Sequence, residues 1–360
     1  MDFGLSPDQT LLVDTVHRVL GTHAALERVR AYAADNTDKG EDIWRELTLL
    51  GLPGLVIVEA HGGSGLGMLE AALVAECLGA HVAPVPFVSS CVLAPLALMQ
   101  AGSPEQQGTW LPRIAQGKTR IGFAASEHGG ARENAGVIAR DGRLYGRALF
   151  VLDFAADSYL IADSAGGLHL IEAAASGLLR RELVTVDRTR QIGELVFDAV
   201  FAEPLVGSAN GLVLEQLLDC GRVLFAADTL GAAQHMLDAA VAYAGQREQF
   251  GRVIGSFQAV KHLCAEMAAA LEPCRAMVWY AAYVLDALPD EAHVTACHTK
   301  AHVADVGTFV AKTATEVHGG VGFTDLLGQH YWFKRIGLDR QLLGGPERMR
   351  HLAAVAQGLG

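Results

Sequence analysis

The first third of the chain repeats hydrophobic residues at helical spacing. The segment from Ser6 to Gln9 combines an N-cap serine, a proline at the first helical position and a capping-box glutamine. Leu12, Val16 and Leu20 follow four residues apart, which is typical of an amphipathic helix. Similar segments continue to about residue 115, so the pattern predicts a helical first third.

From roughly residue 119 to residue 206 the pattern changes to short runs of β-branched and aromatic residues separated by turn signals. Asp141-Gly142 lies between two such runs, and an Asp-Gly pair in that position strongly predicts a two-residue hairpin turn. Further strands are predicted at 159–162, 168–171 and 195–197. We therefore expect a β domain in the middle of the chain.

After Gly211 long helical periods return. The segments, which are rich in alanine and leucine, span 212–244, 256–287, 291–317 and 346–357. Four such helices joined by short loops predict an antiparallel bundle. The whole pattern predicts an α+β protein of three domains: an N-terminal helical domain (1–117), a middle antiparallel β-barrel or sandwich domain (118–208) and a C-terminal four-helix bundle (209–360).

Composition and charge exclude several classes of function. With 360 residues, 51% of them hydrophobic and 19% charged, the chain can bury a large core and does not resemble a disordered protein. A formal charge of -12 without a basic patch argues against binding to nucleic acid or to anionic membranes. No uninterrupted apolar run reaches ~18 residues, so no membrane span is expected.

The amino terminus and the cysteines indicate a cytoplasmic protein. Residues 1–7 lack the basic and apolar regions of a secretory signal. The 6 cysteines are scattered and form no Cys-x-x-Cys pair, so reduced and buried thiols are expected. We therefore predict a cytoplasmic location.

Two motifs in the last third carry groups that suit a dinucleotide. Arg-Glu-Gln-Phe-Gly occupies 247–251, and His-Gly-Gly-Val-Gly-Phe occupies 318–323. The Arg247 guanidinium can bind two phosphate oxygens at once. Gly319 and Gly320 lack a Cβ, so their backbone N–H groups can approach a pyrophosphate closely. Such glycines also end helices, and it is the joint occurrence of both motifs that favours a cofactor contact.

These motifs, together with the order of helical, β and helical segments, resemble the FAD-dependent acyl-CoA dehydrogenase family over essentially the whole chain. The resemblance implies FAD and the introduction of an α,β double bond into an acyl-CoA. It also implies contacts to the adenosine diphosphate half of an FAD whose flavin ring lies in a neighbouring subunit. The residues implied in those contacts are Arg247, Gln249, Phe250, Gly251, Phe257, Gln258, Glu316, Gly319 and Gly320, with Glu316 where a glutamine is usual.

The glutamate that acts as the catalytic base in this family has no counterpart at its two usual positions. One position lies in a Tyr-Glu-Gly-Thr-like segment and is matched by Gly344; the other lies on the first long helix of the bundle and is matched by Gly221. A positioned general base contributes roughly 10²–10⁴-fold to a rate. The resemblance therefore assigns no catalytic residue to this chain.

Other departures also fall on the chain's own flavin site. Leu152 stands where a hydroxyl residue usually faces the flavin, and Pro346 and Arg348 replace a threonine and a glutamine. In the loop after residue 125, His128 replaces a proline, and residues 131–133 (Ala-Arg-Glu) replace a Gly-Ser-Asp end. The chain thus keeps the motifs offered to a neighbour's FAD and loses those for its own.

This asymmetry resembles the base-less subunit of heteromeric α2β2 acyl-CoA dehydrogenases. The resemblance implies a homologous partner subunit that carries the catalytic glutamate, and an electron-transfer flavoprotein as the electron acceptor. Asp219 and Arg222 are expected to contact the acyl-CoA substrate. Heteromeric members often act on bulky acyl-CoAs such as steroid side chains, which implies a role in lipid metabolism and steroid degradation.

Other interpretations stay open. Asp219 or Glu347 as a relocated base would make the chain a homomeric flavoenzyme, and related folds also host flavin-dependent oxidases and hydroxylases. A non-catalytic scaffold is a further alternative. His262 and Glu266 share one helix face, and His293 and His298 are nearby in sequence, but the Glu-x-x-His pairs of di-metal bundles are absent, so no metal site is predicted.

Overall fold

The computed structural model of the chain describes residues 4–35, 37–38, 40–125, 128, 130 and 135–359. The capping box at the start of the first helix is confirmed, because Ser6 Oγ accepts from the Gln9 N–H and Gln9 Oε1 accepts from the Ser6 N–H. A π-helical segment, Phe87–Leu93, was not predicted. The α-helices of the first third are α1 (Pro7–His23), α2 (Leu26–Ala34), α3 (Glu41–Leu49), α4 (Met68–Ala80), α5 (Ala94–Ala101) and α6 (Pro104–Ala115).

The middle of the chain forms one sheet of eight strands. They are β1 (Ile121–Ala124), β2 (Gly136–Arg140), β3 (Arg143–Leu152), β4 (Ser158–Ala162), β5 (Leu168–Glu172), β6 (Leu178–Leu183), β7 (Ile192–Phe201) and β8 (Glu203–Leu205). Their order is β6-β7-β3-β1-β4-β5-β8, with β2 paired to β3. All pairs are antiparallel except β1 with β4, which run parallel.

The predicted Asp-Gly turn joins β2 to β3. Asp141 and Gly142 have φ angles of 52° and 71°, and positive φ at both central residues is what a type I′ hairpin turn requires. The turn sets the register of β3, whose far end places Leu152 opposite Phe123 on β1 and Ile192 on β7. Local turn chemistry thus helps to position a residue of the predicted flavin site.

The last third is helical apart from one small hairpin. Its elements are α7 (Leu212–Gln246), β9 (Glu248–Gln249), β10 (Arg252–Val253), α8 (Gln258–Ala287), α9 (Pro289–His318), α10 (Gln329–Asp339) and α11 (Pro346–Ala356). The four predicted helices are present, and α10 is an additional one. Among the described residues, no helix combines the length and the apolar character that crossing a bilayer requires.

The two faces of the sheet belong to different cores. Leu160 on β4 faces the large core that links the two helical parts of the chain, whereas its neighbours Tyr159 and Ile161 face a smaller core within the β part. This alternation follows from the pleat of a strand. In the large core, α7 packs between α4 and α9. The divisions 1–117, 118–208 and 209–360 remain our proposal for the domain boundaries.

Candidate cofactor site

Three helix ends meet at one end of the C-terminal helices. α7 ends just before Arg247, α8 begins at Gln258 and α9 ends just before Gly319. Tyr243 of α7 stacks on His318 of α9 with their ring centroids 4.7 Å apart. We call this surface the Arg247 face. Its predicted cofactor residues are Arg247, Gln249, Phe250, Gly251, Phe257, Gln258, Glu316, Gly319 and Gly320.

A tight hairpin presents the first motif to solvent. β9 pairs with β10 through Gln249 and Arg252, and the intervening Phe250 and Gly251 have φ angles of 52° and 76°. These values suit a type I′ turn, so the turn, not a helix end, accounts for the glycine at 251. Phe250 is 93% exposed, and its ring lies edge-on to Phe257 at 6.2 Å. Phe250 is thus an exposed aromatic side chain among the predicted cofactor residues.

Arg247 combines a fixed backbone with a free side chain. Its N–H donates to the Tyr243 carbonyl at 2.8 Å, and its carbonyl accepts from the Ile254 N–H at 2.7 Å. The side chain is exposed, and no described residue forms a hydrogen bond or an ion pair with its guanidinium. An unpaired guanidinium on a fixed backbone is available to an anion from outside the chain.

Gly319 and Gly320 leave the backbone open at the end of α9. Gly319 has a φ of 62°, which favours glycine, whereas Gly320 has no such requirement. A Cβ built on either residue meets nothing within 4 Å among the described atoms. The chain itself therefore gives no reason for glycine at 320. A group that approaches the backbone from outside would give one.

The donor set of the Arg247 face fits the diphosphate part of a dinucleotide. Arg247 supplies fixed positive charge, and the amides of Gln249 and Gln258 are exposed. Gln258 is also the first residue of the long helix α8, whose N-terminal dipole favours a nearby anion. Glu316 is exposed one turn before the glycines and would act as an acceptor for a hydroxyl group.

The segment around Gly344 lies against Gly221, the other position at which the resemblance would expect a base. Leu343 and Gly344 have φ angles of 57° and 110°, so a side chain at 344 would be strained. A Cβ on Gly221 would lie only 2.4 Å from Leu343 Cδ1. The Leu343 side chain therefore fills the space that a residue at 221 would need. We call this region, with Leu152, Pro346 and Arg348, the Gly344 face.

An apolar cavity of about 530 Å³ lies in the Gly344 face. Leu152 in its wall is only 4% exposed and offers no hydrogen bond. Among its described lining residues, the polar side chains are Thr185 and Gln341, and the rest are mainly apolar. This lining suits an apolar group and offers few partners to the nitrogen and oxygen atoms of a flavin ring.

Pro346 and Arg348 occupy the two positions at which the flavin contacts are predicted to be lost. Pro346 is the first residue of α11 and has no N–H to donate. Arg348 donates to the His128 carbonyl at 3.3 Å, and its Cδ lies 3.1 Å from a Cβ built on Gly130. The arginine therefore extends across the loop after β1. Residues 131–133, where further departures were noted, lie outside the described residues.

Asp219 and Arg222, the predicted substrate contacts, bind one another. Arg222 donates to Asp219 Oδ1 at 2.7 Å and to the Leu343 carbonyl at 3.2 Å, and both side chains are buried. The second oxygen of Asp219 lies 3.0 Å from His293 Nδ1. This hydrogen bond raises the pKa of His293 to about 10. Their role towards a substrate stays a prediction.

The other base and metal candidates are exposed. Glu347 has a side chain that is 75% exposed, and it accepts a hydrogen bond from Arg340 at 3.1 Å. His262 and Glu266 are both exposed on α8.

A buried ionic network beneath the Gly344 face was not predicted. Arg335 on α10 binds both oxygens of Asp228 at 2.8 and 2.7 Å, and Arg190 lies 2.9 Å from Asp228 and 2.8 Å from Asp339. Burial alone would raise the pKa of Asp228, but Arg335 and Arg190 hold it well below its usual range. The available sequence signal was a charged residue, Asp228, within a long apolar helix.

Comparison with known families gives two matches. The model described as "Acyl-CoA dehydrogenase, N-terminal domain" matches residues 6–118, and the model described as "Acyl-CoA dehydrogenase, C-terminal domain" matches residues 211–358. Among curated proteins, the chain is 30% identical to the acyl-CoA dehydrogenase IpdE2 of Mycobacterium tuberculosis, and the match covers 95% of each chain.

Two solved structures share the fold over nearly the full length. One is described as "Tcur3481-Tcur3483 steroid ACAD G363A variant", with a TM-score of 0.89, 30% identity and coverage of 98% of both chains. The other is the ChsE4-ChsE5 complex from Mycobacterium tuberculosis, with a TM-score of 0.91, 27% identity and coverage of 100% of both chains.

Proposed function

Because the chain belongs to the acyl-CoA dehydrogenase family, we propose that it is the subunit without a catalytic base in a heteromeric enzyme. The family consists of oxidoreductases that act on the CH–CH bond of acyl-CoA thioesters, and FAD is the cofactor. In the proposed assembly this chain binds the adenosine diphosphate half of the FAD. A homologous partner supplies the glutamate.

The observation that carries the proposal is the geometry around Gly344. Desaturation needs a carboxylate that takes the α proton, and the two usual positions for it are Gly344 and Gly221. Leu343 fills the space beside Gly221, and the φ of 110° at Gly344 disfavours any side chain there. Both positions are therefore adapted to glycine and not merely substituted.

The Arg247 face supports the complementary half of the proposal. When bound, FAD accepts the hydride that leaves the β carbon. Arg247 would neutralise its diphosphate, while Gly319 and Gly320 would let backbone N–H groups reach the same oxygens. Phe250 and Phe257 would pack against the adenine or the partner surface. These groups bind and orient the cofactor, and none of them moves a proton.

The similar solved structures and the apolar cavity support a particular assembly and a particular class of substrate. Two similar solved structures are described as a paired assembly, ChsE4-ChsE5, and as a steroid ACAD. We propose an α2β2 tetramer, with electrons passed to an electron-transfer flavoprotein, and a bulky acyl-CoA such as a steroid side-chain thioester as substrate. The apolar cavity of about 530 Å³ supports a large apolar acyl group.

Turnover of the co-purified complex tests where the base lies. We expect no desaturation by the lone chain, and full loss of activity when the partner's predicted catalytic glutamate is changed to glutamine. Glu347→Gln in this chain is the matched carboxylate control and should leave the rate within about twofold. Turnover by the lone chain, or loss of activity in Glu347→Gln, would instead indicate a homomeric enzyme with a relocated base.

A non-catalytic scaffold is the alternative that the Arg247 face disfavours. A scaffold would need no unpaired arginine and no open glycine backbone at the end of α9. FAD content of the complex separates the two functions, because only a cofactor-binding subunit changes that content when Arg247 is substituted.

A further inference from the structure

Three side chains of different chemistry converge between α7 and α9. Asp219 lies on α7, and His293 and Cys297 lie one turn apart on α9, a spacing that puts both on one helix face. His293 Nδ1 is 3.0 Å from Asp219 Oδ2, and Cys297 Sγ is 3.9 Å from His293 Nε2. One donor atom from each residue lies within 4.8 Å of the other two. We call these residues the Asp-His-Cys cluster.

The cluster is enclosed on one side and reachable on the other. Cys297 is 0% exposed and packs with Ala301, Met349 and Ala353, whereas the His293 side chain is 39% exposed. The His293 imidazole therefore lies between the buried Cys297 thiol and solvent. An ion could reach the cluster past His293 and would then be shielded from water by the apolar side chains around Cys297.

The donor types select one class of ligand. Magnesium and calcium take oxygen donors, whereas a thiolate, an imidazole and a carboxylate together suit zinc and similar divalent ions. Three protein ligands with an open fourth position are also common in zinc sites that bind water. The chemistry of this cluster therefore favours a transition-metal cation of borderline softness.

To hold such an ion, the cluster must contract from donor separations of up to 4.8 Å, and the Asp219 carboxylate must turn from His293 Nδ1 towards the ion. Tetrahedral zinc bonds of about 2.0–2.3 Å put donor atoms about 3.3–3.8 Å apart. Sulfur and Nε2 are already 3.9 Å apart, and the carboxylate would exchange its hydrogen bond to His293 for a bond to the ion. Arg222 binds Oδ1 of Asp219 at 2.7 Å, so Oδ2, which is bonded to His293 Nδ1 at 3.0 Å, is the oxygen that would turn to the ion.

We propose that Asp219, His293 and Cys297 form a binding site for a zinc-class divalent cation, with water as the fourth ligand. The sequence does not reveal this site, because Asp219 lies 74 residues from His293 and only the fold brings them together. The site uses none of the cofactor residues of the Arg247 face. Asp219 is also a predicted substrate contact, and the cobalt titration, which needs neither FAD nor acyl-CoA, tests the metal site apart from the proposed subunit role.

Cobalt binding tests the site through a signal that only a thiolate ligand produces. Metal-free, full-length protein is titrated with Co²⁺ under reducing conditions, and a thiolate-to-cobalt charge-transfer band should saturate at one equivalent. Zn²⁺ should then displace the cobalt and remove the band. Cys297→Ser should abolish the band, and His293→Gln should weaken cobalt binding by roughly 100-fold.

Cys264→Ser is the matched control, because Cys264 is a half-buried thiol on α8 that does not belong to the cluster. This variant should keep the full band. A band that survives in Cys297→Ser, a band lost equally in Cys264→Ser, or no band in the wild type would each overturn the proposal. Circular dichroism of every variant confirms the fold, and His293→Gln, which changes a partly exposed side chain, gives a second result if Cys297→Ser misfolds.

Discussion

The Arg247 face and the Gly344 face use the same residue types in opposite ways. At the Arg247 face an arginine is unpaired among the described residues, a phenylalanine is 93% exposed and a glycine has open space beside it. At the Gly344 face Arg222 and Arg348 bind the chain's own carbonyls, and Leu343 lies against Gly221. The Arg247 face keeps its groups available to an external ligand, whereas the groups of the Gly344 face contact other parts of the chain.

The proposed function predicts this difference between a surface that binds a cofactor and one that does not. A surface that binds an external anion leaves donors without internal partners, and exposed donors of this kind stay hydrated until the ligand arrives. A surface without that task can pair its polar groups within the chain. Substitutions at the two faces should therefore have different consequences: loss of folding stability at the Gly344 face, and loss of FAD at the Arg247 face.

The largest expected effect lies in the ionic network beneath the Gly344 face. Arg335→Met leaves Asp228 buried with Arg190 alone and removes the bonds of Arg335 to the Ala83 carbonyl and the Thr189 hydroxyl. We expect a loss of about 3–5 kcal/mol in the free energy of unfolding, measured by urea denaturation. Arg350→Met, at an exposed ion pair with Asp305, is the control and should cost at most about 1 kcal/mol. Equal losses in the free energy of unfolding for Arg335→Met and Arg350→Met would contradict the expected difference between the buried network and the exposed ion pair.

Arg247→Ala should affect the cofactor and not the fold. Loss of the contact to the diphosphate should weaken FAD binding by the complex about 100-fold, equivalent to about 2.7 kcal/mol. The free energy of unfolding of the lone chain should change by less than about 0.5 kcal/mol. FAD content after gel filtration and fluorescence titration measure the first effect.

Arg348→Ala provides the matched arginine substitution on the other face. It should leave FAD affinity unchanged, because its side chain extends to the His128 carbonyl. A loss of FAD in Arg348→Ala, with no loss in Arg247→Ala, would reverse the assignment of the two faces.

Two glycines test whether the Gly344 segment is adapted to glycine. Gly344→Ala should lower the free energy of unfolding by about 2 kcal/mol, because a side chain is strained at a φ of 110°. Gly337 is exposed on α10, and a Cβ there meets nothing within 4 Å, so Gly337→Ala should raise stability by about 0.5–1 kcal/mol. Thermal unfolding of both variants gives the comparison. Stabilisation by Gly344→Ala would show that a side chain, and hence a base, fits there.

Acid should weaken the packing of α10, the helix that leads into the Gly344 segment. His235 stacks on Trp332 of this helix with centroids 3.8 Å apart. Burial lowers the pKa of His81 and of His235 to about 4. Both are neutral in the folded chain, so stability is full above pH 6.5, their ordinary pKa, and falls as the pH drops from there towards 4.

Between about pH 7.5 and about pH 5.5 each of these histidines should lower the free energy of unfolding by about 1 kcal/mol. Urea denaturation at a series of pH values measures the loss, and His235→Gln should remove its share. A stability that is flat across this range in the wild type would contradict the assignment of neutral, buried imidazoles.

Local chemistry made much of the fold predictable. The capping box at Ser6 and the Asp141-Gly142 turn each depend on a few adjacent residues. The parallel pairing of β1 with β4 joins distant segments, and no local pattern encodes it. Helix α10 was missed because glycine-containing segments flank it and its start has no side-chain cap.

The residues of the candidate site also fall into two groups: those that the local sequence identifies and those that only the tertiary fold brings together. Motif residues near Arg247 could be identified because the sequence places them side by side. Leu343 beside Gly221 could not, because more than a hundred residues separate them and only the tertiary fold sets that contact. The network of Arg190, Asp228 and Arg335 is likewise built from three distant segments.

FAD stoichiometry tests the central claim most directly. The chain is purified alone and with its homologous partner, and bound FAD is counted against subunits whose masses are resolved by native mass spectrometry. The two-face account predicts no retained FAD in the lone chain and one FAD per pair of unlike subunits in the complex. Full FAD occupancy of the lone chain, or two FAD molecules per pair, would contradict it.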